Sequence, residues 1–276
     1  MTAAEPATEL IFGYHAVSAV LTARPRRPIA EVWIQSGRAD QRTERLLVDL
    51  QRLGIPMRRL PRRALDQLTA GGCHQGIVAH CVGGTPSSRR GLDAILAECT
   101  EPALLLVLDG VQDPRNLGSC LRTADAVGVH ALIVPKDRAA SLTPAARKVA
   151  CGAAETVPFQ QVTNLARTLQ GLRQAGLFVV GAAAEAEKSL YEAELTGPVA
   201  LVLGGEERGL RRLTREHCDC LVRIPLVGTV ASLNVAVAAA VLLYEVRRQR
   251  WRAGLPGRNC VGRADGLEFG LDLRQK

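Results

Sequence analysis

The sequence predicts an α/β protein in which a small α/β unit precedes a larger parallel-sheet domain. Three observations carry this. From Pro102 to Arg250, short and almost wholly apolar runs alternate with helical patterns, which is how parallel strands covered on both faces read. The first 83 residues show a separate, smaller alternation of helix and strand. Between the two lies GGTPSSRRG, Gly83 to Gly91, with the composition of a linker. The expected division is therefore a unit over 1–83, a linker over 84–100, a domain over 101–250 and a tail over 251–276.

In the first unit, Gly13 to Leu21 reads as a short amphipathic helix and Ile29 to Gln35 as a strand. Asp40 to Leu53 sets Leu46, Leu47, Leu50 and Leu53 on one helical face and stops at Gly54, a residue type that ends helices. Ile55 to Leu60 and Gly76 to Val82 read as strands. The basic clusters Arg24/Arg26/Arg27, Arg58/Arg59 and Arg62/Arg63 read equally as an RNA-docking surface or as a solvated face.

In the second domain, strands are expected at Leu104–Leu108, Ala131–Val134, Thr156–Phe159, Leu177–Gly181, Val199–Leu203 and Leu221–Leu226, with a helix at Leu165–Gln174 before Gly176. After the last strand the chain breaks at Gly228-Thr229 and presents Ser232, Leu233 and Asn234 at the mouth of a helix, with Ser232 as the expected N-cap. Val235 to Tyr244 is apolar on nearly every face, so it should be buried all round, but it is too short to span a bilayer. The tail from Trp251 lacks periodicity and is expected to be loosely ordered.

Composition narrows the function. A chain that is 47% hydrophobic and 22% charged can build a real core, and its net charge of +8 favours a polyanionic partner. Aromatic residues make up only 3%, so base stacking on aromatic platforms is not the expected contact. Eight cysteines and five histidines show no CxxC pair and no metal-ligand spacing, so no metal is expected. Unpaired cysteines suggest the cytosol, and MTAAEPATEL does not read as a signal peptide.

Three polar turns follow strands of the second domain, and ligands of open parallel sheets gather at such carboxyl ends. The first, LDGVQDPRNLGSCLR, places Asn116 near a helix start with Arg122 about two turns on. The second, LGGEERGL, has the glycine spacing of a phosphate loop, but Leu210 stands where the lysine should be. It offers close backbone approach and a carboxylate, Glu206. The third is the Ser232–Asn234 entrance. No GxSxG elbow occurs, which argues against a hydrolase nucleophile.

In order and spacing, these three turns resemble the motifs of the SpoU family of SPOUT methyltransferases: DPRNLGSCLRTADAVGV, LVLGGEERGL and IPLVGTVASLNVAVA. VPKDRAASLTPAARKVACGAAE, RRLTREHCD, IFGYHAV and HQGIVA also match, so the resemblance covers residues 10 to about 250. It is closest to the 23S rRNA guanosine-2′-O-methyltransferase branch. The resemblance implies a trefoil-knotted parallel-sheet domain, a homodimer and a basic N-terminal domain that docks RNA. It implies S-adenosylmethionine as cofactor, held by Leu203, Gly204, Ile224, Pro225, Leu226 and Leu233. It assigns catalysis to Asn116, Arg122, Glu206, Ser232 and Asn234. Ala231 departs from a serine common in related sequences, and Arg208 adds a charge to the glycine turn. The implied substrate is 23S rRNA; a tRNA ribose methyltransferase and a non-catalytic RNA-binding protein of the same fold are the rival readings.

Overall fold

The structure, a computed structural model, describes residues 8–23, 27–38, 40–82, 91–206 and 208–255. The expected loosely ordered tail beyond 255, the linker residues 83–90 and the basic residues Arg24 and Arg26 lie outside the described residues.

The first unit runs β1 (Thr8–Phe12), α1 (Tyr14–Thr22), β2 (Ile29–Gln35), α2 (Gln41–Arg52), β3 (Met57–Leu60), α3 (Arg62–Leu68) and β4 (Ile77–Val82). Its sheet has the order β1-β4-β2-β3, with β2/β3 parallel and the other two ladders antiparallel. Asp40 caps α2 by accepting from Thr43 N at 3.0 Å, and Leu46 and Leu50 enter the core with Val17, Val32 and Ile77. Two elements were not legible: β1, whose TELIF run is short, and α3, whose basic start hides the buried Leu65. The strand expected from Ile55 starts at Met57, because Pro56 has no N–H to give the ladder; Ile55 is nonetheless buried.

The second domain runs α4 (Leu92–Ala97), β5 (Leu104–Asp109), α5 (Pro114–Ala126), β6 (Ala131–Pro135), α6 (Pro144–Ala150), α7 (Ala153–Thr156), β7 (Phe159–Val162), α8 (Leu165–Gln174), β8 (Phe178–Ala182), β9 (Lys188–Ser189), β10 (Val199–Gly204), α9 (Arg212–Glu216), β11 (Cys220–Arg223) and α10 (Val235–Arg252). Seven strands form one sheet, ordered β7-β6-β5-β10-β8-β11-β9, and its ladders are parallel. Burial on both faces explains the continuous apolar runs. Leu104, Leu106 and Leu108 of β5 face the core layer of α5 and α10, while Leu105 and Val107 face the layer of α8. Each such leucine contributes about 1.5–3 kcal/mol by leaving water.

Several expectations are corrected. Part of the expected 84–100 linker is helix α4, whose Ile95 packs with Leu105. Thr156 ends a helix rather than starting a strand, and pairing begins at Phe159, after Pro158. Pairing of the last strand stops at Arg223, before Pro225. The N-cap of α10 is Asn234, not Ser232. Nor is α10 buried all round: Val235, Ala236, Ala239, Leu242, Leu243 and Val246 are buried against α5 and β10, whereas Val237 and Tyr244 are each 50% exposed. One sheet face and one helix cover only one side of it.

Arg27, read in sequence as either RNA-docking or solvated, is neither: it is 1% exposed at the junction of the two domains. Its guanidinium lies 2.8 Å from Glu9 and 3.9 Å from Glu155 of α7, and Arg147 of α6 pairs with the same two carboxylates. Gly152 lets the domains close, since a Cβ there would lie 2.6 Å from Ala19 Cβ on α1. At the far end of α10, Arg250 is fully buried and donates to the carbonyls of Pro102, Ala103 and Gly197 at 2.8–3.0 Å, tying the helix to the amino ends of β5 and β10. Burial brings its guanidinium down to about 10.

Candidate active site

The site is built at the carboxyl ends of β5 and β10, neighbours in the sheet. Strand β5 is apolar until Asp109, whose side chain is completely buried. Its backbone carbonyl accepts from Gly205 N at 3.0 Å and its Oδ2 accepts from Arg211 N at 3.0 Å. Asp109 therefore holds both ends of the glycine turn, and Arg211 Nε lies 3.5 Å from Oδ1. Gly205 and Gly209 bridge across the turn. A Cβ on Gly204 would fall 1.9 Å from the carbonyl carbon of Gly209, and one on Gly205 would fall 2.5 Å from the carbonyl oxygen of Gly110. The turn's own closure demands these glycines, before any question of room for a ligand. Sequence reasoning missed Asp109 and Arg211; the available signal was an acid closing a wholly apolar strand.

The turn presents Glu206, which accepts from Asn116 Nδ2 at 2.6 Å across 90 residues. Asn116 sits in the first turn of α5, started by Asp113 as N-cap and Pro114 at N1. Its Oδ1 accepts from Asn234 Nδ2 at 3.0 Å, and Asn234 Oδ1 accepts from Ala236 N at 2.9 Å. One chain of hydrogen bonds thus runs from the N-terminus of α10 to the Glu206 carboxylate. It joins one residue from each of the three turns.

The other expected catalytic residues are not part of this chain. The Arg122 side chain is exposed on α5 and makes no hydrogen bond or ion pair with another described residue; the same holds for the Ser232 side chain. Beneath α5, burial, with Glu206 adding to it, pushes the Cys120 thiol up to about 12, so no thiolate nucleophile is available there. Among the described residues, no group of three or more His, Cys, Asp or Glu side chains could hold a metal ion.

The expected cofactor residues line the connection from the glycine turn to α10. Leu203 is buried in β10, Gly204 and Leu233 are half-buried, and Ile224 packs on the core. Pro225 is exposed and Leu226 is 37% exposed. From 224 to 233 the backbone makes no hydrogen bond to another described residue. A run of free N–H and C=O groups beside half-buried aliphatic side chains suits the chemistry of an adenosine, whose base has an apolar face and a polar edge. These residues fit S-adenosylmethionine.

The SpoU rRNA Methylase family model matches residues 103–244, and an RNA 2′-O ribose methyltransferase substrate-binding model matches residues 10–85. The 23S rRNA (guanosine-2′-O-)-methyltransferase RlmB of Haemophilus influenzae is 54% identical over 88% of this chain and 98% of its own. Among solved structures, the SpoU methyltransferase AviRb from Streptomyces viridochromogenes in complex with the cofactor AdoMet aligns with a TM-score of 0.72 at 25% identity, covering 89% of this chain and 91% of that one. An RNA 2′-O ribose methyltransferase structure aligns at 0.71 and 28% identity, over 88% and 89% of the two chains.

Proposed function

The chain belongs to the SpoU rRNA methylase family, and from that premise we propose that it transfers a methyl group from S-adenosylmethionine to the ribose 2′-hydroxyl of a guanosine in 23S rRNA. The observation that carries the reading is the hydrogen-bonded chain Glu206–Asn116–Asn234, which unites the three turns beside the 224–233 connection.

The cofactor's sulfonium supplies an activated methyl group, so the chain's own task is to align the hydroxyl and ease its deprotonation. Gly204, Ile224 and Leu233, with the backbone of Leu203, Pro225 and Leu226, would hold the adenosine. Asn116 spends its Oδ1 and one Nδ2 proton on its neighbours, which fixes the amide plane and leaves the second Nδ2 proton for the ribose or its phosphate. Glu206 keeps one carboxylate oxygen free to accept from a ribose hydroxyl. Arg122, exposed on α5, clamps an RNA phosphate by its planar fork. Ser232 and Asn234 close the 224–233 connection over the site. We further infer that this connection is threaded as the trefoil knot, since α10 follows β11 yet packs against α5 and β10 on the other side of the sheet order. The exposed Val237, Tyr244 and Trp251 of α10 give a homodimer its contact.

The test is to incubate the protein with unmodified ribosomal RNA and labelled S-adenosylmethionine and to map the product. A 2′-O-methylated guanosine in 23S rRNA is the expected result. Methylation of tRNA alone, or cofactor binding without any transfer, would overturn the proposal.

A further inference from the structure

We propose that the open groove between the carboxyl ends of β6 and β7 is a docking site for RNA backbone, gripping a phosphate next to, but outside, the reacting ribose. This rests on the reading above and adds a contact on the catalytic domain. The groove has a volume of about 390 Å³ and is lined by Lys136, Gln161, Thr163, Asn164, Arg167 and Thr168, with Val162 as its apolar floor. Hydrogen-bonding groups and two cations, with no aromatic ring, suit phosphate and ribose and offer nothing to stack a base.

Charge pairing supports the assignment. In this domain Arg147, Arg173, Arg211, Arg215, Arg247 and Arg248 face carboxylates, whereas Arg122, which the reading above assigns to an RNA phosphate, faces none among the described residues. Lys136, Arg138 and Arg167 are exposed and pair with no described residue, although Asp137 stands beside them. The position is also right. Strands β6 and β5 are neighbours, so the groove opens at the same carboxyl edge of the sheet as the turn that carries Asn116, with α8 and α5 on its two faces. Ala140 N donates to Val111 O at 2.7 Å, which ties the Lys136–Ala140 loop to the loop that leads into α5.

The test compares the full chain with its K136A/R167A variant, using an unmodified rRNA fragment in a salt series. The variant is expected to bind about fivefold to tenfold more weakly near 0.15 M salt. Its log–log salt slope should be shallower by about 0.7, the loss of one single-strand phosphate contact. KM for RNA should rise, while kcat at saturating RNA and S-adenosylmethionine affinity stay within twofold. Lys188→Ala, on the opposite edge strand β9, should leave all of these unchanged. Unaltered RNA affinity and slope in K136A/R167A, with wild-type methylation intact, would overturn the groove alone. A wild type that neither binds nor methylates rRNA would overturn the functional reading as well.

Discussion

Asn234 donates a 3.0 Å hydrogen bond to Asn116 across 118 residues of sequence, and the direction of that bond is fixed at both ends. Glu206, an acceptor only when ionised, compels Asn116 to present its Nδ2, which turns Asn116 Oδ1 toward Asn234. The backbone N–H of Ala236 compels Asn234 to present its Oδ1, which leaves Nδ2 to donate. A chain of two amides, each able to flip when isolated, is thereby locked between a helix N-terminus and a carboxylate. The positive end of α10 is linked to the negative charge it favours.

Asn234→Asp separates the two jobs of this residue. Aspartate caps a helix as well as asparagine, so thermal stability should change by less than about 0.5 kcal/mol. It has no proton to give Asn116, so methyl transfer should fall at least about tenfold, or 1.4 kcal/mol in the barrier. Asn234→Ala should lose the same activity and about 1 kcal/mol of stability. Melting curves and single-turnover methylation check both. Wild-type activity in the aspartate variant would show that the Asn234–Asn116 bond is incidental.

The three turns could be read in sequence because each punctuates an apolar strand with glycines and polar residues that no core would retain. Their meeting could not, since bonds spanning 90 and 118 residues depend on β5 and β10 being neighbours. Strand positions were legible for the same reason in β5, β6 and β10, buried on both faces, and in β8, buried beyond its exposed first residue Phe178. Marginal elements were not. TELIF of β1 is too short to show a period, α4 hid in a stretch assigned to the linker, and Pro158 sits inside the run expected to be a strand. Arg27 misled because clustered arginines look alike in sequence whether they face solvent or cross a domain junction.

Asp109→Ala removes the acceptor for Arg211 N and one wall of the glycine turn. The unpaired, part-buried N–H should cost about 1–3 kcal/mol, and Glu206 should lose its fixed approach to Asn116. Urea unfolding and cofactor calorimetry are the measurements. We expect S-adenosylmethionine affinity to fall by about tenfold or more, because Gly204 belongs to the same turn. Asp109→Asn, which can still accept at Oδ1, should recover most of the stability. If alanine leaves both quantities unmoved, Asp109 does not organise the turn.

Glu155 gives the domain junction a pH dependence. Burial raises its carboxyl pKa, and the nearby Arg147 and Arg27 only partly oppose this. The folded pKa lies above the unfolded one, so the folded state binds the proton more tightly. This contribution is greatest below about pH 4.3, the ordinary glutamate value, and is lost as pH rises through the raised folded value. The stability difference between wild type and Glu155→Gln should therefore decline across that window and be flat above it. Glu155→Ala should cost less than the roughly 3–5 kcal/mol of an orphaned buried charge, because Glu9 still pairs with both Arg27 and Arg147. Denaturation at a series of pH values tests both. A wild-type advantage that grows with pH in that window would contradict the sign.

Under the proposed function, Arg122 is where the loss of the 2′-hydroxyl proton can be tested. It lies six residues beyond Asn116 on α5, about 120° round the helix from it, on an exposed face apart from the amide chain. A free guanidinium holds its proton far above neutral pH, so a neutral one near pH 7 is costly, which makes an arginine base demanding. A charged guanidinium that clamps the target phosphate and stabilises the developing alkoxide needs no such cost. Arg122→Lys separates the two roles. Lysine keeps the charge and loses the proton more readily, near pH 10.4, but lacks the fork. If the side chain takes the proton, the lysine variant should retain activity that climbs with pH. If the fork matters, it should be nearly as inactive as Arg122→Ala at every pH, with cofactor affinity intact. The exposed, unpaired position of Arg122 leads us to expect the second outcome, read from methylation rates between about pH 6.5 and 9.5, a range that stays below the lysine value. Strong alkaline-stimulated activity in the lysine variant would establish the side chain as the base.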